Sequence, residues 1–202
     1  MENRSLGYSK KKKIIDKYNS TSHFYDERYR NIQKMKYIYI SNLFYPSNKT
    51  ILDAGCGTGL FFSFIIENFK EKRSDPGTFY YVGVDISIEM LYKFQTKINK
   101  NHMNYKKRIG LILADLEFLP FRNNTFNTLF SLTSYQNLLN IKDGINESIR
   151  TLENDAKLRI SILKKKIRIE EIESFMKNYI DDLEIISDDS VEDVIFFGTI
   201  RK

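Results

Sequence analysis

Ile51-Leu52-Asp53-Ala54-Gly55-Cys56-Gly57-Thr58-Gly59-Leu60 places three of the chain's nine glycines at alternate positions directly after an apolar run. Glycine costs backbone entropy in any regular element. A cluster of this kind therefore marks a loop that needs φ > 0 or the close approach of another group. It is either a tight turn between a strand and a helix or a loop that cradles a nucleotide-like cofactor. The surrounding sequence separates the two.

Outward from this loop, strand-like and helix-like stretches alternate. Thr50–Ala54 reads as a buried strand and Leu60–Asn68 as a helix. Phe79–Val84, Ile109–Ala114, Phe126–Leu132 and Leu158–Leu163 read as further strands. Ser87–Lys100, Asp143–Glu153 and Ile169–Tyr179 read as the helices between and after them. Ser74-Asp75-Pro76-Gly77 is turn chemistry. The alternation predicts an α/β fold, a doubly wound and mostly parallel sheet with helices on both faces. Leu183–Ser187 and Val194–Ile200 are separated only by a short polar link around Asp188-Asp189-Ser190. A parallel crossover needs about a dozen residues, so the sheet is expected to end in an antiparallel strand.

Ahead of the loop, residues 1–22 are polar and lysine-rich and read as a loosely held arm with some helix. Tyr25 to Phe44 carries Tyr29, Ile32, Met35, Ile38 and Leu43 at helical spacing, and Pro46 is expected to end that helix. The expected organisation is an N-terminal arm and helix over 1–45, covering the site, and a cofactor-binding domain over 46–202.

The 202 residues suffice for one domain with a proper core, and 42% of them are hydrophobic and 29% charged. Apolar runs fall far short of the roughly 20 residues that span a bilayer. The lysines near the start are followed by no apolar stretch of the secretory kind, so a cytoplasmic location is expected. Cys56 is the only cysteine, which excludes an intrachain disulfide and a multi-cysteine zinc site. No metal site is expected. The net charge of +6 permits a polyanionic partner such as RNA without requiring one.

The chemistry of the loop points away from a dinucleotide. A G-x-G-x-x-G loop would put its third glycine at position 60, which is Leu60. Asp53, two residues before Gly55, would repel a pyrophosphate but suits a ligand with a positive centre. Tyr81-Val82-Gly83-Val84-Asp85 ends a strand on a carboxylate with two acceptor oxygens, fit for a vicinal diol. Leu113-Ala114-Asp115 ends the next strand in the same way, fit for an exocyclic amine. Three successive strands thus close on acids.

With Asp53-Ala54-Gly55-Cys56-Gly57-Thr58-Gly59, Val84-Asp85-Ile86-Ser87 with Met90, Ala114-Asp115 with Leu119-Pro120-Phe121, and Phe126–Ser131, the chain resembles the class I S-adenosylmethionine-dependent methyltransferases from about Lys17 onward. The resemblance implies a seven-stranded sheet with a reversed last strand and S-adenosyl-L-methionine as cofactor. It implies cofactor-binding roles for Asp53, Gly55, Cys56, Gly57, Gly59, Asp85, Ile86, Met90, Asp115, Leu116 and Ser131. It also implies that an aromatic residue, Tyr25 or Tyr18, closes over the cofactor. Cys56 reads as structural, since no histidine stands ready to activate it.

The acceptor region is expected after the fourth strand, with Tyr135 as an aromatic wall and Asn137 as a positioning amide. The Asn/Asp-Pro-Pro-aromatic tetrapeptide of exocyclic-amine methyltransferases is absent there. Lys17 to Asp26 resembles the entry helix of quinone-type relatives, with Asn19 and Ser22 departing from the pattern. The expected function is methyl transfer to a small molecule or other non-nucleic-acid acceptor. An RNA methyltransferase, with or without a small activator protein, and a non-catalytic cofactor-binding scaffold are the alternatives.

Overall fold

A computed structural model of the chain describes residues 2–41, 44, 49–71 and 78–202. Leu43, the expected helix stop at Pro46 and the expected turn at Ser74–Gly77 lie outside the described residues.

Seven strands form one sheet: β1 (Lys49–Ala54), β2 (Phe79–Asp85), β3 (Ile109–Leu113), β4 (Phe126–Leu132), β5 (Leu152–Leu163), β6 (Ile180–Ile186) and β7 (Asp193–Ile200). Their order is β3-β2-β1-β4-β5-β7-β6. β7 slots between β5 and β6 and runs antiparallel to both, so among the described residues it is the one reversed strand. The order turns back between β1 and β4, and ligands in such sheets sit at that switch, beyond the carboxyl ends of the strands.

Side chains alternate across the sheet, and this divides the core. Leu52 and Leu129 face one layer with Ile145 and Ile149 of helix α5 (Ile141–Thr151) and Ile172 of α6 (Ile169–Met176). Ile51 and Phe130 face the other, with Tyr37 of α2 (Tyr25–Ser41), Phe61 of α3 (Leu60–Glu71) and Phe94 of α4 (Ile88–Asn101). Burying apolar side chains on both faces makes these strands read as continuous hydrophobic runs. Ser87 caps α4 by accepting from the Met90 amide at 3.3 Å, and Asn140 caps α5 from the Lys142 amide at 3.0 Å.

Two expectations need correction. Where an arm with some helix is expected, α1 is one continuous helix over Glu2–Thr21. It has no apolar stripe to betray it, and long polar side chains hold it instead. Lys10 donates to the Leu138 carbonyl at 3.1 Å and Asn19 accepts from the Ser87 hydroxyl at 2.6 Å. The fifth strand is twice the expected length, starting at Leu152 inside the expected helix rather than at Leu158. Its polar Glu153-Asn154-Asp155 stretch hides it, because the register shifts there and Asp155 sits at φ 62°.

Candidate functional site

A cavity of about 680 Å³ opens at the carboxyl ends of the central strands, at the switch point. Its floor is the backbone of Gly55 and Gly57, both at positive φ (84° and 53°). The amides of Gly55 and Cys56 both donate to the Val84 carbonyl, at 2.8 and 2.9 Å, which folds the loop tightly over β2. A Cβ on Gly57 would meet nothing closer than the Tyr25 ring at 4.0 Å, so that residue faces open space.

Asp85 and Asp115 line the same cavity from the next two strand ends, with Ile86, Met90 and Leu116 as the apolar part of the wall. Asp85 is oriented by backbone amides, from Gly57 to one oxygen at 2.9 Å and from Ser87 to the other at 2.8 Å. Burial nevertheless pushes its carboxyl up to about 6, against those amides. Asp115 accepts from the Glu117 amide at 3.0 Å, and its other oxygen meets the Lys11 ammonium of α1. Lys11 also contacts Glu117 at 2.9 Å.

Asp53 stands apart from its two companions. It is buried, accepts a hydrogen bond from the Tyr81 hydroxyl and lines a second, smaller cavity of about 320 Å³. Tyr25, Gly55, Gly57 and Leu132 form walls common to both cavities. Burial, with Asp85 adding to it, raises the Asp53 carboxyl to about 7. Gln33 and Tyr37 of α2 close this second cavity, and the Gln33 side-chain oxygen is buried there without a hydrogen-bond partner. Such an orphaned acceptor costs free energy unless something arrives to donate to it.

The remaining wall of the larger cavity comes from α1 and from the segment after β4. Ile14 and Tyr18 face Leu132, Thr133, Asn137 and Leu138. Asn137 donates to the Tyr18 hydroxyl at 2.9 Å, and Tyr18 packs edge-on to Tyr25 at 6.5 Å between ring centres. Burial raises the hydroxyl pKa of both tyrosines, so neither is a ready base.

The structure therefore brings together Gly55, Gly57, Asp85, Ile86, Met90, Asp115, Leu116, Tyr25 and Asn137 on one cavity. Asp53 and Cys56 lie on the second. Three expected residues lie on neither. Gly59 is at φ 73°, and a Cβ there would sit 2.2 Å from the Phe94 ring; it is a glycine because α4 packs on the loop. Ser131 is fully buried and donates to the Ala54 carbonyl at 2.7 Å, tying β4 to β1. Tyr135 is also fully buried, its hydroxyl 2.5 Å from Ser148, so it is a core residue and not an acceptor wall. Cys56 has its thiol pKa pushed well up by burial, which keeps it protonated and unreactive.

Sequence reasoning missed Lys11 and Glu117, together with a buried pair, Lys36 and Asp193, bonded behind Thr133. No local pattern flags them. Lys36 lies within a helix of mixed polarity, and Asp193 reads as the end of a polar link.

Comparison with known proteins agrees with this geometry. Residues 51–155, just over half of the chain, match the family model described as a methyltransferase domain. An uncharacterized protein of Methanocaldococcus jannaschii is 32% identical over 145 residues, 70% of this chain and 48% of that protein. A demethylmenaquinone methyltransferase of Porphyromonas gingivalis is 28% identical over 154 residues, 76% of this chain and 59% of that protein. The chain thus spans roughly half the length of these two relatives. Among solved structures, magnesium protoporphyrin IX methyltransferase from Synechocystis with bound SAM superposes with a TM-score of 0.71. That match is at 16% identity and covers 95% of this chain and 97% of the other.

Proposed function

The chain belongs to the methyltransferase-domain family of class I S-adenosylmethionine-dependent enzymes, and on that premise we propose that it transfers a methyl group to a small-molecule acceptor. One observation carries the choice of acceptor: the cavity at the strand ends is roofed by α1 through Lys11, Ile14 and Tyr18. A partly covered, largely apolar pocket suits a small molecule. RNA needs an open basic approach, and here Lys11, the lysine on the cavity, is paired with Asp115 and Glu117. On this reading residues 1–45 are the cover and 46–202 the cofactor-binding unit. The single, buried Cys56 fits a reducing, cytoplasmic setting.

The residues present fit S-adenosylmethionine. Gly57 leaves its backbone open to a ligand, Asp85 presents a carboxylate to a diol, and Asp115 presents one to an amine. Asp53 and the orphaned Gln33 oxygen supply two acceptors for the cofactor's ammonium group. The Lys11 ammonium, now on Asp115, has to share or yield that carboxylate to an adenine amine.

The cofactor supplies an activated methyl on a positively charged sulfur. What remains for the chain is alignment and dryness, which for well-held reactants are worth up to roughly 7–11 kcal/mol. Gly55 and Gly57 set the depth of the cofactor, Tyr25 closes between the two cavities, and Met90 and Leu116 exclude water. Asn137, held by Tyr18, orients the acceptor. Among the described lining residues the carboxylates Asp85, Asp115 and Glu117 close or follow β2 and β3, while the wall after β4 offers the hydroxyls of Thr133 and Ser134 and the amide of Asn137. That arrangement favours an acceptor that is already nucleophilic at neutral pH.

The test is to incubate the protein with methyl-labelled S-adenosylmethionine and a cell extract split into small-molecule, RNA and protein fractions. Label in the small-molecule fraction is the expected result. Label confined to RNA overturns the choice of acceptor, and label in no fraction overturns the activity.

A further inference from the structure

Thr133 carries the least comfortable backbone in the cavity wall. Its φ is 55°, in the left-handed region that β-branched residues almost never enter. Such strain persists only where surroundings over-determine it, and it concentrates at functional sites. Here every polar group of the residue is held. The Thr133 amide donates to the Ser161 carbonyl at 2.9 Å and to its hydroxyl at 3.1 Å. The Thr133 carbonyl accepts from the Gln136 side chain. Its hydroxyl donates to Asp193 at 2.7 Å and accepts from the Lys36 ammonium at 3.1 Å.

Behind Thr133 lies a buried ion pair. Lys36 meets Asp193 at 2.8 Å, with side chains 4% and 0% exposed, and Ser161 donates to the same carboxylate at 2.9 Å. The four residues come from α2, the end of β4, β5 and the start of β7. Desolvating two charges seldom yields net stability, since their attraction only offsets the cost of removing them from water. A buried pair is better at fixing one arrangement than at strengthening a fold.

The arrangement it fixes joins two walls of the cavity. Lys36 anchors α2, whose first residue is Tyr25, and Asp193 anchors Thr133, which leads into Ser134 and Asn137. Ser134 in turn lies against Gly55, where a Cβ would be 2.1 Å from its hydroxyl oxygen. Shifting Thr133 therefore moves the acceptor-side wall relative to the glycine loop.

We propose that Lys36, Asp193 and Ser161 are positioning residues that hold Thr133 in its strained conformation and so set the distance between the acceptor wall and the methyl donor. This rests on the methyltransferase reading for its consequence but not for its geometry. The prediction is local: losing the anchor loosens residues 132–138 and slows transfer while leaving the cofactor subsite intact.

The test uses Asp193→Asn, Thr133→Gly and Thr133→Ser in the full chain. Glycine adopts φ 55° freely, so Thr133→Gly keeps the fold even where Asp193→Asn, leaving Lys36 buried without its counter-charge, does not. Three readouts are taken: amide hydrogen exchange, calorimetric affinity for S-adenosylhomocysteine, and transfer of label from S-adenosylmethionine into a protein-free small-molecule extract. The expected result for Thr133→Gly is faster exchange confined to 132–138, S-adenosylhomocysteine affinity within about threefold, and transfer down by about tenfold or more. Thr133→Ser keeps the hydroxyl and restores both protection and most of the rate. Unchanged exchange at 132–138 in Thr133→Gly overturns the proposal, as does an unchanged transfer rate. Faster exchange spread over the whole sheet also overturns it, because the cluster is then merely structural. Failure of the unaltered protein to bind S-adenosylhomocysteine counts against the methyltransferase reading instead, and the exchange result still decides this one.

Discussion

The edge of the sheet that carries the site divides into two halves built by different means. At β1, β2 and β3 the site is made largely of backbone: glycines at positive φ, and, at Asp85 and Asp115, carboxylates aimed by amides two residues on or in the adjacent glycine loop. At β4, β5 and β7 it is made of side chains that meet across the chain, with Lys36 on Thr133 and Asp193 on Ser161. A backbone-built half tolerates change in most side chains but not in its glycines. A half built from a buried charge pair has few replaceable parts, and its failures are larger.

The sharpest way to break this contrast is Lys36→Met. Leaving Asp193 buried without its counter-ion should cost about 3–5 kcal/mol in urea unfolding. Lys36→Met combined with Asp193→Leu should recover much of that loss. A single variant as stable as the parent would mean the pair is solvated in solution, and the two halves would then differ little.

A pH titration probes the backbone-built half. The Asp53 carboxyl is raised to about 7 in the folded chain, above its ordinary value of 3.8. The folded state therefore holds the proton more tightly, so this group's contribution to stability is full below about pH 4 and is lost as pH rises through about 7. Asp53→Asn removes the titration and can still accept from Tyr81. Its stability, followed by thermal unfolding from pH 4 to 8, should fall by less than the parent's, the difference being on the order of a few kcal/mol. Parallel curves would show that Asp53 is not buried as an acid.

Asp85→Ala acts on affinity rather than stability. Removing a charged acceptor from ribose hydroxyls should weaken S-adenosylhomocysteine by about ten- to a hundredfold, or 1.5–3 kcal/mol, in calorimetry. Gln33→Leu refines this further, since its oxygen faces only the second cavity. It should weaken S-adenosylhomocysteine by roughly tenfold and leave 5′-methylthioadenosine, which lacks the amino-acid end, unaffected. Equal losses for both ligands would mean that Gln33 acts through the fold.

The same contrast explains what could be read from the sequence. The β1–β3 half is written in contiguous residues, so Asp53–Gly59, Asp85 and Asp115 were legible, as were the strands that carry them. Gly59 was legible as a loop glycine but not in its role, because the ring it makes room for, Phe94, is 35 positions away in the sequence. Tyr135 pointed to the wrong side for a similar reason: its partner Ser148 lies on α5, and nothing near Tyr135 shows which way the short turn rotates it. The other half leaves no local trace, since Lys36 and Asp193 become meaningful only once α2 and β7 are folded onto β4. Helix α1 was obscured because Lys10, Lys11 and Asn19 hold it in place of an apolar stripe.

The central claim is that the backbone-built half holds S-adenosylmethionine. Titrating S-adenosylhomocysteine into isotope-labelled protein and following amide chemical shifts tests it most directly. Saturable shifts centred on Gly55, Gly57, Ile86 and Leu116 are expected, with Ile160, Ile162 and Val194 of the other half nearly still. Absence of saturable shifts, or shifts centred on β5 and β7, would contradict it.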